Sequence, residues 1–401
     1  MKLDKTKWKK TKLIDVVTKK EENDKLNAKN RFQKFLKVEH FDAESLNIKR
    51  WGNQENDELP PTFFKIFRKG QVLFPTRNPH LRRTALASFD GICGEKTLTL
   101  EPNSEIVQPD FIPFLFHSES FYNHTISAIV GSTNPHVRWR DVANYEFLLP
   151  PKDQQARLAE LLWGMDEVIE KALEFLEHSI LLRNINREKL YTYGIEALKK
   201  KKITNTKNGK SGLIRIDFNE SKFFDCVEIK SGQVDPQKKK YANLYQIGSE
   251  RIESNTGKIT ELKTAKELNI KSGNYLFTED DIIYSKIRPY FKKVALPKFR
   301  GLCSADIYPL RLKKGGILKE YLFYYLLTEK FTRKLLRFQN RTGMPKVNRD
   351  ELKAMYIPFP DYEEQKKIVK ILKEIDGYIN SNQNKISSSK SLQKSLISQV
   401  F

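Results

Sequence analysis

The sequence predicts a mixed α/β fold of the α+β type. It has two similar globular domains in tandem, bridged by two long helices that pair as an antiparallel coiled coil with approximate two-fold symmetry. Three observations lead to this prediction. The chain has 401 residues, which suit two domains better than one core. Its segments recur at a constant spacing, and each half ends in a long heptad pattern.

The recurrence is clearest near the end of each half. LLPPKDQQARLAELLWGMDEVIE (148–170) is followed much later by IPFPDYEEQKKIVKILKEIDGYI (357–379). The two stretches place Pro150 against Pro360, a spacing of 210 residues. This period is far longer than that of solenoid repeats, so the pattern predicts a duplicated domain with an appended helix.

The same spacing aligns two segments in the middle of each half. PHLRRTALASFDGIC (79–93) lies over PYFKKVALPKFRGLC (289–303) without a gap. Gly91 and Gly301 recur there, and we expect each to provide a turn with a positive φ.

The first part of each half is predicted to be globular. Residues 1–148 and 204–358 mix short apolar runs with Gly, Pro and Asn, which indicates short strands and a few helices. Each domain also contains an aromatic segment that predicts one buried helix, DFIPFLFHSESFYNHT (110–125) and KEYLFYYLLTEKFTRKLLRF (319–338).

The second part of each half is predicted to be helical. Residues 149–203 hold a central helix and linker, and residues 359–401 hold a distal helix. Pro150 and Pro151 suit a helix start, and apolar residues then follow at heptad spacing. Asn382 interrupts the second seam and is expected to restrict register.

The run KKKKITNTKNGKSG (199–212) lies between the central helix and the second domain. Its basic, polar composition favours a flexible linker over a separate DNA-binding tail.

Charge and cysteine content bound the function. The net charge of +22 favours a polyanionic partner, with nucleic acid the leading candidate. The sequence has no apolar run of about 18 residues and no signal peptide, so we expect a cytoplasmic protein with no membrane partner. Cys93, Cys226 and Cys303 have no metal-site or disulfide spacing and are expected to be buried.

Two similar domains on a rigid spacer suit a ligand with two separated sites. Duplex DNA is such a ligand, and a helical spacer between two readers works as a ruler. Divergence between the halves lets the two half-sites differ in sequence.

The chain resembles the specificity (S) subunits of type I restriction-modification systems over nearly its full length. The residues that carry the resemblance are the two repeated stretches, the GSTNPHVRWRDVANYEF and RTGMPKVNRDELKAMY segments before them, and YSKIRPYFKKVA (284–295). The resemblance implies that residues 1–148 and 204–358 are target recognition domains. The first half departs from the pattern at PTRNPH (75–80), where the second has SKIRPY.

The resemblance also implies partners. These are double-stranded DNA, two modification (methyltransferase) subunits that use S-adenosylmethionine to methylate adenine, and restriction (nuclease/translocase) subunits that use ATP and magnesium. No cofactor is expected in this chain.

Basic and polar residues at equivalent positions are the candidates for DNA contact, since Arg pairs with guanine, Asn with adenine and Lys with phosphate. The alternative for each is solvation of a strand edge. The candidates are Arg77, Asn78, His80, Arg82, Arg83, Lys286, Arg288, Tyr290, Lys292 and Lys293, with a second pair of loops at Asn134, His136, Arg138, Lys346, Asn348 and Arg349.

Some residues of the long helices are candidates for partner binding, although a helix-surface charge is the commoner explanation for the two aspartates. They are Leu161, Asp166, Val168, Leu173, Ile371 and Asp376.

No catalytic motif is found. The GKS at 209–211 lacks the upstream glycine of a phosphate-binding loop, and neither NPH segment completes an NPPY motif. We therefore expect a non-catalytic, DNA-reading subunit. The alternatives are a self-contained nuclease or methyltransferase and a basic coiled-coil scaffold.

Overall fold

The computed structural model describes residues 3–198, 205–313, 315–337 and 345–401. The chain forms two compact units. The first unit contains Met1–Glu174 and Gln383–Phe401, and the second contains Phe175–Asn382. Each long helix therefore contributes one half of its length to each unit.

The first unit is built from short strands and short helices, followed by one long helix that continues into the second unit. The strands are β1 (Lys9–Lys12), β2 (Val17–Lys19), β3 (Glu22–Asn23), β4 (Lys34–Leu36), β5 (Gly52–Asn53), β6 (Phe63–Phe67), β7 (Val72–Pro75), β8 (Ala85–Leu86), β9 (Gly91–Gly94), β10 (Thr97–Pro102) and β11 (Glu146–Leu149). The α-helices are α1 (Leu13–Val16), α2 (Ala28–Arg31), α3 (Ile112–Leu115), α4 (Glu119–Ser127), α5 (Trp139–Ala143) and α6 (Lys152–Tyr193). Two short 3-10 helices are Val38–His40 and Pro79–Leu81.

The strands of the first unit form three sheets. A four-stranded sheet has the order β2-β10-β7-β8, and a five-stranded sheet has the order β3-β6-β9-β4-β5. Strands β1 and β11 pair separately. Strands β4 and β9 pair in parallel, and the other pairs are antiparallel.

The second unit repeats this set of elements after an additional hairpin, except that β5 has no counterpart there. The strands are β12 (Thr206–Gly209), β13 (Gly212–Arg215), β14 (Asn219–Lys222), β15 (Val227–Ile229), β16 (Gln233–Val234), β17 (Gln246–Ile247), β18 (Asn274–Phe277), β19 (Asp281–Ser285), β20 (Val294–Ala295), β21 (Gly301–Cys303), β22 (Ile307–Leu312) and β23 (Tyr356–Phe359). The α-helices are α7 (Phe223–Cys226), α8 (Lys239–Ala242), α9 (Lys319–Leu326), α10 (Glu329–Leu336), α11 (Arg349–Lys353) and α12 (Tyr362–Val400). Three short 3-10 helices are Gly194–Leu198, Ser249–Arg251 and Pro289–Phe291.

The sheets of the second unit confirm the duplication. One four-stranded sheet has the order β15-β22-β19-β20, and a second has the order β16-β18-β21-β17. Strand β14 pairs with β23, as β1 pairs with β11 in the first unit. Strands β17 and β21 pair in parallel, as β4 and β9 do in the first unit. The long helices also start 210 residues apart, at Lys152 and Tyr362.

The predicted linker is partly structured. Residues 199–204 lie outside the described residues, and Thr206–Gly209 pairs with Gly212–Arg215 as a β-hairpin. The prediction of a flexible linker is therefore wrong for residues 206–212. Gly212 supplies the positive φ of 107° that the turn requires.

The aromatic segments are buried as predicted, but each contains two helices and not one. In the first unit, Ser118 caps the start of the second helix, since its hydroxyl accepts a hydrogen bond from the Phe121 N–H. In the second unit, Thr328 does the same for the Phe331 N–H. A capping side chain satisfies an otherwise unpaired N–H, so each starts a new helix inside an apolar run.

The recurring glycines are explained by close packing. Gly91 and Gly301 lie in strands and are not among the residues with positive φ, so the predicted turn is wrong. A side chain at Gly91 would approach the Phe67 ring to 2.7 Å, and one at Gly301 would approach the Phe277 ring to 2.6 Å. Each glycine therefore makes room for an aromatic ring of the neighbouring strand.

The long helices pack together within each unit, as predicted. In the first unit, Leu162 of α6 shares a hydrophobic core with Leu396 and Val400 of α12. In the second unit, the ring of Phe175 contacts that of Tyr378. Further along, the Ile195 N–H donates to the Glu364 carboxylate. From the first contact to the second, the residue number rises from 175 to 195 on one side and falls from 378 to 364 on the other. The two helices are therefore antiparallel in that unit.

The three cysteines are buried and unpaired, as predicted. Burial raises the pKa of the Cys93 thiol to about 12. None of the helices in the described part of the chain combines the length and the apolarity needed to cross a membrane.

Candidate nucleic-acid interface

In the first unit, the two loops that carry the predicted DNA-contact residues lie side by side and form one surface. The Asn78 N–H donates to the Pro135 carbonyl at 2.9 Å, and the Val137 N–H donates to the Thr76 carbonyl at 3.0 Å. These backbone hydrogen bonds join the loop after β7 to the segment before α5. We call this the first loop surface, residues 77–83 and 134–138.

The second unit joins the equivalent loops in the same way. The Arg288 N–H donates to the Pro345 carbonyl at 2.8 Å, and the Val347 N–H donates to the Lys286 carbonyl at 2.7 Å. We call this the second loop surface, residues 286–293 and 345–349.

Each loop surface contains a turn with two left-handed residues that are not glycine. Asn78 and Arg82 have φ values of 51° and 52°, and Arg288 and Lys292 have values of 47° and 49°. The two residues flank a short 3-10 helix in each case. Such conformations cost about 1 kcal/mol or more each for residues with a side chain, so the surrounding structure must enforce them.

Ion pairs fix each turn on the helix behind it. Arg82 pairs with Glu44 and with Glu119, the first residue of α4. Lys292 pairs with Glu329, the first residue of α10. These cations lower the pKa of the Glu119 and Glu329 carboxyls.

The residues that follow in the sequence also face the protein. The Arg83 guanidinium lies 3.5 Å from the Val38 carbonyl, and the Lys293 ammonium donates to the Ser249 carbonyl at 2.7 Å. Arg83 and Lys293, like the Arg82 and Lys292 before them, therefore have an internal role in the structure.

The other sequence candidates remain on the two surfaces. The exposed ones are Arg77, His80, Asn134, Arg138, Arg288, Tyr290 and Arg349. The half-buried ones are Asn78, His136, Lys286, Lys346 and Asn348. Among the half-buried residues, the His136 Nδ1 lies 3.0 Å from the Asn134 carbonyl and the Asn348 N–H donates to the Glu351 carboxylate.

The second loop surface concentrates positive charge. The pKa of Lys286 is lowered, first by burial and then by the like charges of Lys346 and Arg349. Asp306 pairs with Lys346 at 3.2 Å and is the one carboxylate that raises the pKa of Lys286. Three cations beside one carboxylate favour an anion such as a DNA phosphate.

Sequence reasoning missed two residues at the tips of the turns. The side chains of Leu81 and Phe291 are 37% and 40% exposed, although both are apolar. The Phe291 ring lies 4.6 Å from the Tyr290 ring, which is also exposed. The sequence did contain a signal for these two residues, because an apolar residue lies in a basic segment at the same position of both repeats.

The two loop surfaces lie in regions that match a known domain. Residues 5–178 and 215–388 match the model of the Type I restriction modification DNA specificity domain. The chain belongs to this family. The two matches begin 210 residues apart, so the domain duplication and the sequence repeat coincide.

Curated relatives are specificity subunits. The chain is 27% identical over 292 residues to the Type I restriction enzyme EcoDI specificity subunit of Escherichia coli, covering 68% of this chain and 65% of that protein. It is 27% identical over 312 residues to the MjaVIII specificity subunit of Methanocaldococcus jannaschii, covering 72% and 68%. The matched region therefore spans about two thirds of the length of these relatives.

Solved structures share the fold. A chain from a study of complex assembly and conformational transition of the type I R-M system has a TM-score of 0.59 at 18% identity, covering 98% of this chain and 97% of that one. The type I S subunit from M. genitalium has a TM-score of 0.58 at 15% identity, covering 100% and 98%. Specificity subunits of type I enzymes are non-catalytic, as expected from the missing motifs.

The aspartates on the long helices of this specificity-domain pair are engaged within their own units. Asp166 accepts hydrogen bonds from Asn47 at 2.7 Å and Gln393 at 3.4 Å, and burial raises the pKa of its carboxyl. Asp376 accepts one from the Tyr324 hydroxyl at 2.8 Å. Both carboxylates therefore anchor a helix to the domain beside it.

The predicted apolar partner residues differ in exposure. Leu161 and Val168 are 45% and 62% exposed, whereas Leu173 and Ile371 are partly buried. Other exposed apolar residues lie on the same two helices, and they are Phe175, Leu181, Leu182, Ile185, Tyr362, Tyr378 and Leu392.

Proposed function

We propose that this chain reads a bipartite double-stranded DNA target, with each specificity domain reading one half through its loop surface. The observation that carries the proposal is the recurrence of the same joined loops, with exposed cations, in both units. A single loop of this kind would be an ordinary basic surface. Two equivalent loops suit two half-sites.

Affinity would come mainly from charge. The chain carries a net charge of +22, and the exposed Arg77, Arg138, Arg288 and Arg349 lie on the loop surfaces. Cations that neutralise phosphates release counterions, so the affinity of such a protein for DNA falls steeply with salt.

Specificity would come from the differences between the two surfaces. At the 210-residue spacing, Asn78 is replaced by Arg288, and Arg138 is replaced by Asn348. Asn pairs well with adenine and Arg with guanine, so exchanged residues favour different bases. This supports two half-sites of different sequence.

The long helices would hold the modification subunits. Their exposed apolar residues, such as Leu161, Val168 and Leu182, are the kind of surface that a partner protein covers. Restriction subunits would join the same assembly. S-adenosylmethionine, ATP and magnesium would bind to these partners and not to this chain.

The test is DNA binding by the complex of this chain with its modification subunit. One variant combines Arg77→Glu with Arg138→Glu, and another combines Lys346→Glu with Arg349→Glu. Each is expected to weaken DNA binding at least tenfold and to lower the salt slope by about two.

Matched controls reverse two exposed lysine charges away from the loop surfaces. Lys25→Glu is combined with Lys29→Glu in the first unit, and Lys266→Glu is combined with Lys271→Glu in the second. The controls are expected to bind DNA like the unmodified complex at matched salt, apart from a small uniform loss. Equal weakening by the loop-surface variants and the controls would reject the loop surfaces as the DNA interface.

A further inference from the structure

The tips of the two turns expose apolar side chains on a rigid support. We define the tips as His80 and Leu81 in the first unit and Tyr290 and Phe291 in the second. All four side chains are exposed. A single exposed apolar side chain is ordinary on a protein surface. These tips differ in how they are held and in the residues that surround them.

Each tip is held from three sides. The Leu81 N–H donates to the Asn78 carbonyl at 2.9 Å, and the Phe291 N–H donates to the Arg288 carbonyl at 3.0 Å. The proline that precedes each tip is buried. The ion pairs of Arg82 and Lys292 fix the residue that follows. The tips therefore cannot fold back into the core.

Between the two repeats, the tips have similar side chains, whereas a residue close to each tip differs. A ring is followed by an apolar side chain in both repeats, as His80 and Leu81 or as Tyr290 and Phe291. At the same spacing, Asn78 becomes Arg288. The tips thus suit a feature that both half-sites share, whereas the neighbouring residues suit features that differ.

The surroundings indicate which ligand covers the tips. The first tip lies in the same loop surface as Arg77 and Arg138, and the second lies with Arg288 and Arg349. A protein interface tends to exclude charges from its centre, whereas DNA attracts cations around an apolar contact. The base stack is the apolar part of DNA that every sequence offers.

We propose that the two tips are wedges that insert into the base stack, one in each half-site, and hold the duplex locally unstacked. The proposal rests on the proposed function. Apolar side chains that insert between base pairs unstack and kink DNA in other proteins, independently of direct base reading. The wedges would contribute affinity and DNA shape, while the adjacent polar residues contribute sequence preference.

The experiment places 2-aminopurine at successive positions of each mapped half-site and measures its fluorescence in the complex with the modification subunit. With the unmodified chain, we expect fluorescence to rise at one step in each half-site. Tyr290→Ala with Phe291→Ala should abolish the rise in one half-site only. His80→Ala with Leu81→Ala should abolish it in the other.

The affinity of each double variant should fall about tenfold, with an unchanged methylation motif. Phe291→Leu keeps an apolar wedge and should retain most of the fluorescence rise. Leu26→Ala and Leu262→Ala remove other exposed apolar side chains and should have no effect.

Three outcomes would overturn the inference and leave the proposed function intact. The first is that the complex binds its target without any rise in 2-aminopurine fluorescence. The second is that the tip variants keep the rise. The third is that the methylation motif of a tip variant loses bases in one half. Loss of the modification subunit from the tip variants in the absence of DNA would instead make the tips a protein contact. A complex that binds no DNA sequence selectively would reject the proposed function itself.

Discussion

Arg77 and Arg82 lie in one loop but have different surroundings. Arg77 is exposed, whereas Arg82 is directed to the Glu44 and Glu119 carboxylates and its side chain is only 20% exposed. At the scale of single residues, the loop surface therefore contains two kinds of cation. Some, such as Arg82, stabilise the shape of the loop, and others, such as Arg77, are exposed and can bind a ligand.

The first prediction separates these two roles. Arg82→Gln removes both ion pairs and should lower the free energy of unfolding of the first unit by about 1 kcal/mol. Arg77→Gln should leave that free energy unchanged and weaken DNA binding. Urea unfolding followed by tryptophan fluorescence is suitable, because all four tryptophans lie in the first unit. The same stability for both variants would contradict the distinction.

Sequence reasoning could not separate these arginines. It grouped Arg82 and Arg83 with Arg77 because all three lie in one basic run. Their partners, such as Glu44 and Glu119, come from distant parts of the chain and become neighbours only in the fold. The candidate surface was predictable from the repeat, but the orientation of each cation on it was not.

A second prediction concerns His117. Burial lowers the pKa of its imidazole to about 4 in the folded chain, from an ordinary value of 6.5, although its Nε2–H can donate to the Thr84 carbonyl. The nearby charges of Glu44 and Arg82 act in opposite directions. The unfolded chain thus binds the proton more readily than the folded chain. Stability should therefore be independent of this group above pH 6.5 and should fall as the pH decreases from about 6.5 towards 4.

The loss should be about 1 to 2 kcal/mol, because the ring retains some contact with solvent. His117→Asn should remove this part of the pH dependence, although it is expected to lower stability at neutral pH. The measurement is urea unfolding by tryptophan fluorescence at several pH values. Parallel pH profiles for the two proteins would show that His117 is not responsible.

At the scale of secondary-structure elements, one capping side chain in each aromatic segment starts a second helix. Composition predicted one buried helix in each aromatic segment, and burial was correct. Ser118 and Thr328 were overlooked as caps because the whole aromatic segment around each was interpreted as one helix. Conversely, the long helices have proline, acid and heptad signals that agree with one another, so both were predictable. The hairpin β12–β13 was missed because its sequence is basic and has few apolar residues.

The third prediction tests the caps. Ser118→Ala should lower the free energy of unfolding of the first unit by about 1 kcal/mol, because the Phe121 N–H loses its partner. Ser118→Thr preserves the hydroxyl and should be milder. Thr328→Ala lies in the second unit and should not change the tryptophan-detected transition. If Ser118→Ala were as stable as the unmodified chain, the cap would not be what starts α4.

At the scale of the whole molecule, the chain shows a duplication followed by divergence of the two copies. The two domain matches and the starts of the long helices keep the 210-residue spacing, and the order of equivalent strands in the sheets recurs in both units. The residues on the loop surfaces have changed while the turns that carry them have not. This combination suits a protein that reads two different short sequences at a spacing set by its helices.

The most direct test is to map adenine methylation across DNA after co-expressing this chain with the modification subunit encoded beside it. The account predicts a split motif with a gap of fixed length. Replacing the globular part of one unit with that of a related protein should change one half of the motif only. A single uninterrupted motif, or a change in both halves after one replacement, would contradict the claim that each domain reads its own half-site.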